Sequence, residues 1–384
     1  MLLPFPTPSG DAPTIAWQAP AWRALADEAW AQAMAACPQD PEHHAEGDVW
    51  THTRMVCDAL VALPAWRALP VDERDLVFAA CLLHDVAKPP CTRIEGGRIR
   101  QPGHSVKGAI MARNLLWRAG VDPRAREAIV GLIRYHQVPF FCIDEADPIR
   151  RLAQVSQRAQ SDHLALVNRA DALGRICAGQ ERLLENVDLF LELARDQGCL
   201  RAPFAFADDH SRFTYFRGPA GADPRRQAHD DTRCEAILMS GLPGSGKDTW
   251  LAAHADLPVI SLDAIRSELG KRPSGDQGAV LSLARERARE HLRAGRSFAW
   301  NATNLTREIR GRLVDLFAGY GARVRIVYLE VPHRTLLRQN RGRAAAVPEA
   351  VIERMTRLWE IPDATEAHVV EHHFVDEAAG WRPN

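Results

Sequence analysis

Residues 235–250, EAILMSGLPGSGKDTW, decide how the C-terminal half of the chain is read. EAILMS is apolar, short and suited to a buried strand, and a helical stretch opens at Lys247. Between them, glycines stand at 241, 244 and 246, with Ser245 inside the run and Lys247 at its end. At this glycine and lysine content, a Gly-x4-Gly-Lys spacing arises by chance only about 0.02 times in the chain. Glycines let backbone N–H groups close around phosphate oxygens, and a lysine neutralises the outer phosphates as a compact point charge. A plain glycine turn would not need that lysine. Gly241, Gly244, Ser245, Gly246, Lys247, Asp248 and Thr249 are therefore the residues expected to hold ATP with Mg2+. Asp248 stands where a Ser or Thr hydroxyl ordinarily ligates Mg2+. Its carboxylate could bind the metal directly or through water, or act only as a first-turn acid favoured by the helix dipole. Thr249 is one residue too far along to substitute.

The same grammar continues downstream. PVISL (258–262), RSFAWNAT (296–303) and RVRIVYLEV (323–331) are short β-prone runs separated by helical stretches, the pattern of a parallel sheet built from βαβ units. ISLDAIR places Asp263 and Arg266 just past the second strand, facing the phosphate loop. A carboxylate there could take the proton of an acceptor hydroxyl, and an arginine one turn on could grip a phosphate; a helix cap is the plainer role for Asp263 and is compatible with it. The third strand ends on Asn301, where a motor ATPase would carry an acidic residue. HRTLLRQNRGR (333–343) aligns Arg334, Arg338, Arg341 and Arg343 as either a solvated face or a lid over a transferring phosphoryl group.

From about residue 15 to 200 the pattern is helical, as in DERDLVFAACLLHDVAK (72–88) and AREAIVGLIRYHQ (125–137), so this half is expected to be all-α. Residues 201–233, rich in Pro and Gly, read as a connection, giving domains over 1–200 and 234–384. Phe204, Phe206, Phe213, Tyr215 and Phe216 make that connection too aromatic for a free linker, and it is expected to pack on one domain. A length of 384 residues suits two cores, and no run of about 18 apolar residues occurs, which argues against a membrane span. The start lacks a secretory pattern and the eight cysteines form no CxxC pair, so a cytoplasmic protein with reduced thiols is expected. The net charge of −1 confines any nucleic-acid site to a local patch. Within the helical half, PEHHAEGDVWTHT (41–53), LLHDVAKP (82–89), QPGHS, RYHQ and NRADALGR place His52, His84, Asp85, His104, His136 and Asp171 on separate helices or their ends. Imidazole plus carboxylate suits Mn2+, Ni2+, Co2+, Fe2+ or Zn2+. One ion would take His52, His84, Asp85 and Asp171, and a second, sharing Asp85, would take His104 and His136. Lys88 is placed one turn after Asp85 to bind a substrate phosphate.

These motifs carry two resemblances. Residues 42–180 resemble the HD phosphohydrolase superfamily, and PEHHAEGDVWTHT looks especially like the HD domains attached to tRNA nucleotidyltransferases. Residues 234–360, through GLPGSGKDT, SLDAIR, NATN and RQNRGR, resemble polynucleotide kinases of the RNA-repair type. That resemblance implies Asp263 as general base for a 5′-hydroxyl, Arg266 on the substrate phosphate, and Arg338 and Arg341 on ATP. The fusion resembles bifunctional HD–polynucleotide kinase end-healing enzymes, which implies RNA or DNA ends as substrates and an RNA ligase downstream. Two other classes stay open at this stage: a nucleoside or small-molecule kinase fused to a nucleotide phosphohydrolase, and a non-enzymatic RNA sensor.

Overall fold

The computed structural model describes residues 3–8, 14–272, 275–343 and 345–375. The chain divides into two compact units, Met1–Ala205 and Phe206–Asn384.

The first unit is helical. Helix α1 (Val49–Ala62) starts where Asp48 accepts a hydrogen bond from the Thr51 amide, and it buries Val49, His52, Val56 and Leu60 along one stripe. Helix α2 (Val71–Leu83) is buried at every residue from Val77 to Leu83, as a helix enclosed by neighbours must be, and it delivers His84 and Asp85 from its C-terminal end. Helices α3 (His104–Arg118) and α4 (Pro123–Tyr135) run on from there; Asp122 caps α4, Pro123 opens it, and His136 closes it. After α5 (Pro148–Ser156), α6 (Ser161–Leu173) carries Asp171 in its last turn, and α7 (Gln180–Asp196) ends the bundle. Helix α2 packs against α1, α4 and α6.

One element departs from the all-helical expectation. Arg93–Glu95 pairs antiparallel with Arg98–Arg100 across Gly96-Gly97. RIEGGRIR does hold a two-residue glycine turn between β-branched residues, but the signal is short beside the helical runs that flank it.

The second unit opens with α8 (Asp209–Arg217), where Phe213 stacks on His368 at 3.7 Å between ring centroids and Arg212 donates to the carbonyls of Ala364 and His368. The aromatic stretch is thus shared: Phe204 bonds to Ser156 and Gln157 in the first unit, whereas Phe213 and Tyr215 are buried in the second. Five parallel strands follow, β1 (Cys234–Ser240), β2 (Val259–Ser261), β3 (Phe298–Asn301), β4 (Ala322–Glu330) and β5 (Val369–Phe374), in the order β2-β3-β1-β4-β5. The sheet is covered by α9 (Lys247–Ala252), α10 (Leu262–Glu268), α11 (Gly278–Arg293), α12 (Arg307–Gly319), α13 (His333–Arg341) and α14 (Glu349–Thr356). The chain leaves β1 toward one edge and later crosses back to β4, so the C-terminal end of β1 lies where the strand order reverses, the place such sheets bind ligands. The sequence reading located the first four strands and missed β5. VVEHHF is half-polar because an edge strand with one neighbour needs less apolar surface.

Candidate active sites

In the helical unit the six predicted ligands converge from five helix ends. His84 Nε2 lies 3.1 Å from Asp85 Oδ2, His104 Nε2 and His136 Nε2 lie 3.5 and 3.8 Å from Asp85 Oδ1, and His52 Nε2 lies 3.1 Å from Asp171 Oδ1. Two overlapping triads, His52–His84–Asp85 and Asp85–His104–His136, have the spacing to hold metal ions and share Asp85. The donor chemistry fits a metal closely. The Nδ1 atoms of His84, His104 and His136 face the carbonyls of Cys81, Gln101 and Ile133 at 2.7–2.8 Å, and His52 Nδ1 lies 2.8 Å from Glu46 Oε1. The three carbonyl contacts turn the Nε2 atoms of His84, His104 and His136 inward, the arrangement that orients metal-bound imidazoles. Asp85 and His84 are buried, and both Asp85 oxygens and His84 Nε2 lack an aligned hydrogen bond among the described residues. Burial pushes His136 down to about 3 and His104 below the usual histidine range, so both imidazoles are neutral ligands at pH 7. Burial opposes ionisation of Asp85, but His84 and Lys88 hold its carboxyl well below the ordinary range.

Three further residues complete this site. Lys88 is buried, 2.7 Å from Asp85 Oδ2 and donating to Gln39 at 2.6 Å, on the wall of a cleft of about 530 Å³ that is also lined by Asp85, His104 and His136. Arg175, to which the sequence reading gave no role, grips both Asp171 oxygens at 2.9 and 2.6 Å and lines the same cleft. Its place one helical turn after Asp171 is the signal that could have found it. Glu46 bridges the Nδ1 atoms of His44 and His52 at 2.8 Å each and accepts the Ile176 amide at 2.9 Å; nothing local in the sequence announces that.

In the second unit the phosphate loop joins β1 to α9. Gly241, Gly244 and Gly246 adopt φ of 145°, 83° and 95°, and a Cβ at Gly241 would meet the Leu329 carbonyl at 2.4 Å, so only glycine closes this turn. Lys247 Nζ donates to the Gly241 and Leu242 carbonyls at 2.8 and 2.9 Å, curled over the loop it serves. Burial pushes Lys247 down to about 8. Ser245 is buried, and its Oγ has no hydrogen-bond partner among the described residues. The loop is held by its neighbour strand: Asn304 donates to Met239 O, and Gly241 N donates to Thr303 O. Asn304 carries a positive φ of 44°, a conformation asparagine tolerates better than most residues.

Asp248 accepts a hydrogen bond from Asn301 Nδ2 at 2.8 Å and lies 3.8 Å from Arg343. Its carboxylate therefore has protein partners of its own, beyond the metal and helix-dipole roles read from sequence. Thr249 is exposed. Asp263 is ion-paired with Arg266, and both Asp248 and Asp263 favour the charged form of Lys247. The predicted lid arginines fare differently. Arg338 donates to Thr335 and Arg341 pairs with Glu349 at 2.7 Å, whereas Arg343 is the arginine that reaches Asp248 and lowers the affinity of Lys247 for its proton. Helix α13 itself abuts the loop: a Cβ at Gly244 would lie 3.4 Å from Asn340 N.

Comparison with known proteins agrees with this division. The HD-domain family model matches residues 49–176, and a model described as an AAA domain matches residues 237–362. A multifunctional CCA protein of Halorhodospira halophila (strain DSM 244 / SL1) is 36% identical over 106 residues, 27% of this chain and 23% of that protein. The chain thus spans about a quarter of that relative's length. Among solved structures, a sugar kinase from Janibacter sp. HTCC2649 aligns over 36% of this chain and 85% of its own at 20% identity and TM-score 0.29. A gluconokinase from Sinorhizobium meliloti 1021 aligns over 37% and 83% at 20% identity and TM-score 0.28. The chain carries an N-terminal helical HD domain and a C-terminal P-loop kinase-like domain with a five-stranded parallel sheet, an enzyme architecture that implies ATP with Mg2+ in one half and a divalent metal in the other. No helix among the described residues is long and apolar enough to cross a membrane.

Proposed function

We propose that this chain heals RNA ends. The C-terminal domain phosphorylates a 5′-hydroxyl from ATP, and the N-terminal domain removes a 2′,3′-cyclic phosphate or 2′-phosphate from the opposite terminus. The observation that carries the reading is that one chain holds a full constellation of each kind: the Asp85-centred cluster with Lys88 and Arg175, and Lys247 with the Asp263–Arg266 pair. Cleavage of RNA by transesterification leaves both lesions together, and an RNA ligase acting downstream needs both removed. A cyclic phosphate requires a 2′-hydroxyl, so the hydrolase is committed to RNA, while the kinase site is open to 5′-hydroxyl ends of RNA or DNA.

On the kinase side, Asp263 accepts the proton of the attacking hydroxyl, Arg266 holds the adjoining phosphate, and Lys247 neutralises the transferring group. The Asp263 side chain is 79% exposed, which supports an acceptor as large as a polynucleotide end. On the hydrolase side, a divalent ion such as Mn2+, Ni2+ or Co2+, held by His52, His84, Asp85, His104, His136 and Asp171, would supply a Lewis acid and an acidified water. Lys88 and Arg175 stand on the cleft wall to balance phosphate charge, and the carbonyls behind His84, His104 and His136 keep those rings in one tautomer.

The test is an oligoribonucleotide labelled at both ends, bearing 5′-hydroxyl and 2′,3′-cyclic phosphate termini, incubated with and without ATP–Mg2+ and with and without Mn2+. The expected outcome is 5′ phosphorylation that needs ATP and loss of the cyclic phosphate that needs the transition metal. Turnover of a free nucleoside while the oligonucleotide stays unphosphorylated would replace this reading with a small-molecule kinase fused to a nucleotide phosphohydrolase.

A further inference from the structure

The metal-lined cleft of the helical unit is not polar throughout. Its inner end holds Asp85, His104 and His136 with Lys88 and Arg175, while its outer wall presents Phe141, Ile99, Leu183 and Arg182. Phe141 is 55% exposed, although its neighbours Phe140 and Cys142 are fully buried and Asn186 Nδ2 donates to the Phe140 carbonyl at 2.7 Å. The chain here is therefore firmly packed, and one aromatic ring is left facing the cleft. Isolated exposed apolar side chains are ordinary; a phenyl ring sharing a concave wall with a phosphate-binding cluster is not accounted for by that cluster. Phe141 ends the short helical turn Val138–Phe141, five residues past His136 in the chain. Arg182 adds a planar cation on the same wall; its side chain is 76% exposed, and its partner Asp144 lies 3.5 Å away.

We infer that Phe141 and Arg182 form a nucleobase subsite, in which Phe141 stacks on the base attached to the ribose whose phosphate enters the Asp85 cluster. The inference rests on reading the N-terminal domain as a ribose-phosphate hydrolase, and it adds that the base is recognised there by its flat face. Such stacking tolerates any base, because every base offers a π-face.

The experiment uses the full-length protein loaded with Mn2+. It compares adenosine 2′,3′-cyclic phosphate with its abasic methyl riboside analogue, and an RNA oligomer ending in 2′,3′-cyclic phosphate with one whose terminal nucleotide is abasic. Phe141→Ala should raise KM for the base-bearing substrates roughly tenfold, leave their kcat within about twofold, and leave the abasic substrates unchanged; Phe141→Trp should restore the lower KM. Sensitivity of the oligomer pair assigns the subsite to a chain end, and sensitivity of the mononucleotide pair alone assigns it to free nucleotides. Equal effects of Phe141→Ala on base-bearing and abasic substrates, or no effect on either, would overturn it. A separate titration follows the fluorescence of Phe141→Trp, relative to wild type, with adenosine 2′-phosphate. If neither cyclic phosphate is hydrolysed, the hydrolase reading fails, and the titration alone decides the subsite: extra quenching keeps it, and none removes it.

Discussion

Lys247 is half-buried against its own loop, and desolvation there pushes it down to about 8 from the usual lysine value, partly offset by Asp248 and Asp263. A group whose folded pKa is depressed in this way favours the neutral form. Its burial therefore weighs most against the folded protein below pH about 8, where the amine is charged, and that penalty fades as pH rises through the folded value toward the unfolded one. Triphosphate reverses the preference, because a neighbouring negative charge stabilises the ammonium. Binding of ATP near pH 8.5 should accordingly take up a proton, and affinity should fall as pH climbs past about 8. Calorimetric titrations in two buffers of different ionisation enthalpy read that proton directly. Lys247→Met should abolish the buffer dependence, and a wild-type protein showing none would mean that Lys247 is already fully charged in the free loop.

At the scale of elements, the metal cluster depends on how closely two helices approach. Gly174, just past the end of α6, sits against α1 so tightly that an added Cβ would lie 2.7 Å from Val56 N and 2.8 Å from Val56 Cα. Those are backbone atoms and cannot swing aside as a side chain would. The contact lies one turn beyond both His52 and Asp171, and it brings the two within 3.1 Å of each other. Gly174→Ala should push the helices apart, cost about 1–3 kcal/mol of stability as overpacking does, and lower Mn2+ affinity together with stability. Gly179→Ala, where nothing lies within 4 Å of the added Cβ, is the control and should change neither. Thermal melts of the apoprotein and a Mn2+ titration measure the two effects. Retained affinity in Gly174→Ala would show that the cluster tolerates a looser α1–α6 contact.

Across the whole molecule, each constellation belongs to a separate compact unit, which predicts that the two activities can be removed one at a time. Lys247→Ala should eliminate ATP-dependent phosphorylation and leave Mn2+-dependent hydrolysis within about twofold; His84→Ala should do the reverse, since groups acting within one site fail together while sites that share no partners are independent. Chelation before assay should mimic His84→Ala on hydrolysis. Loss of both activities from either substitution, in protein that remains folded by circular dichroism, would refute the independence of the two sites.

The features that the sequence determined unaided are those encoded at short range. A glycine-rich turn with its lysine, apolar strands of fixed length and a His-Asp pair at the end of an apolar helix all carry their chemistry within about ten residues, so the P-loop, four of the five strands and the His84–Asp85 pair could be read directly, whereas the wider histidine and aspartate set rested on resemblance to a known family. The tertiary structure decided whatever depends on partners distant in the chain. His52 meets Asp171 across 119 positions and Glu46 meets Ile176 across 130, so the inward turn of His52, the bridging role of Glu46 and the reach of Asn301 to Asp248 had no local signature. Arginine spacing offered Arg334, Arg338, Arg341 and Arg343 alike and the resemblance singled out Arg338 and Arg341, yet Arg343, beyond the end of α13, is the one turned toward Asp248, because periodicity fixes a face of a helix but not what that face packs against.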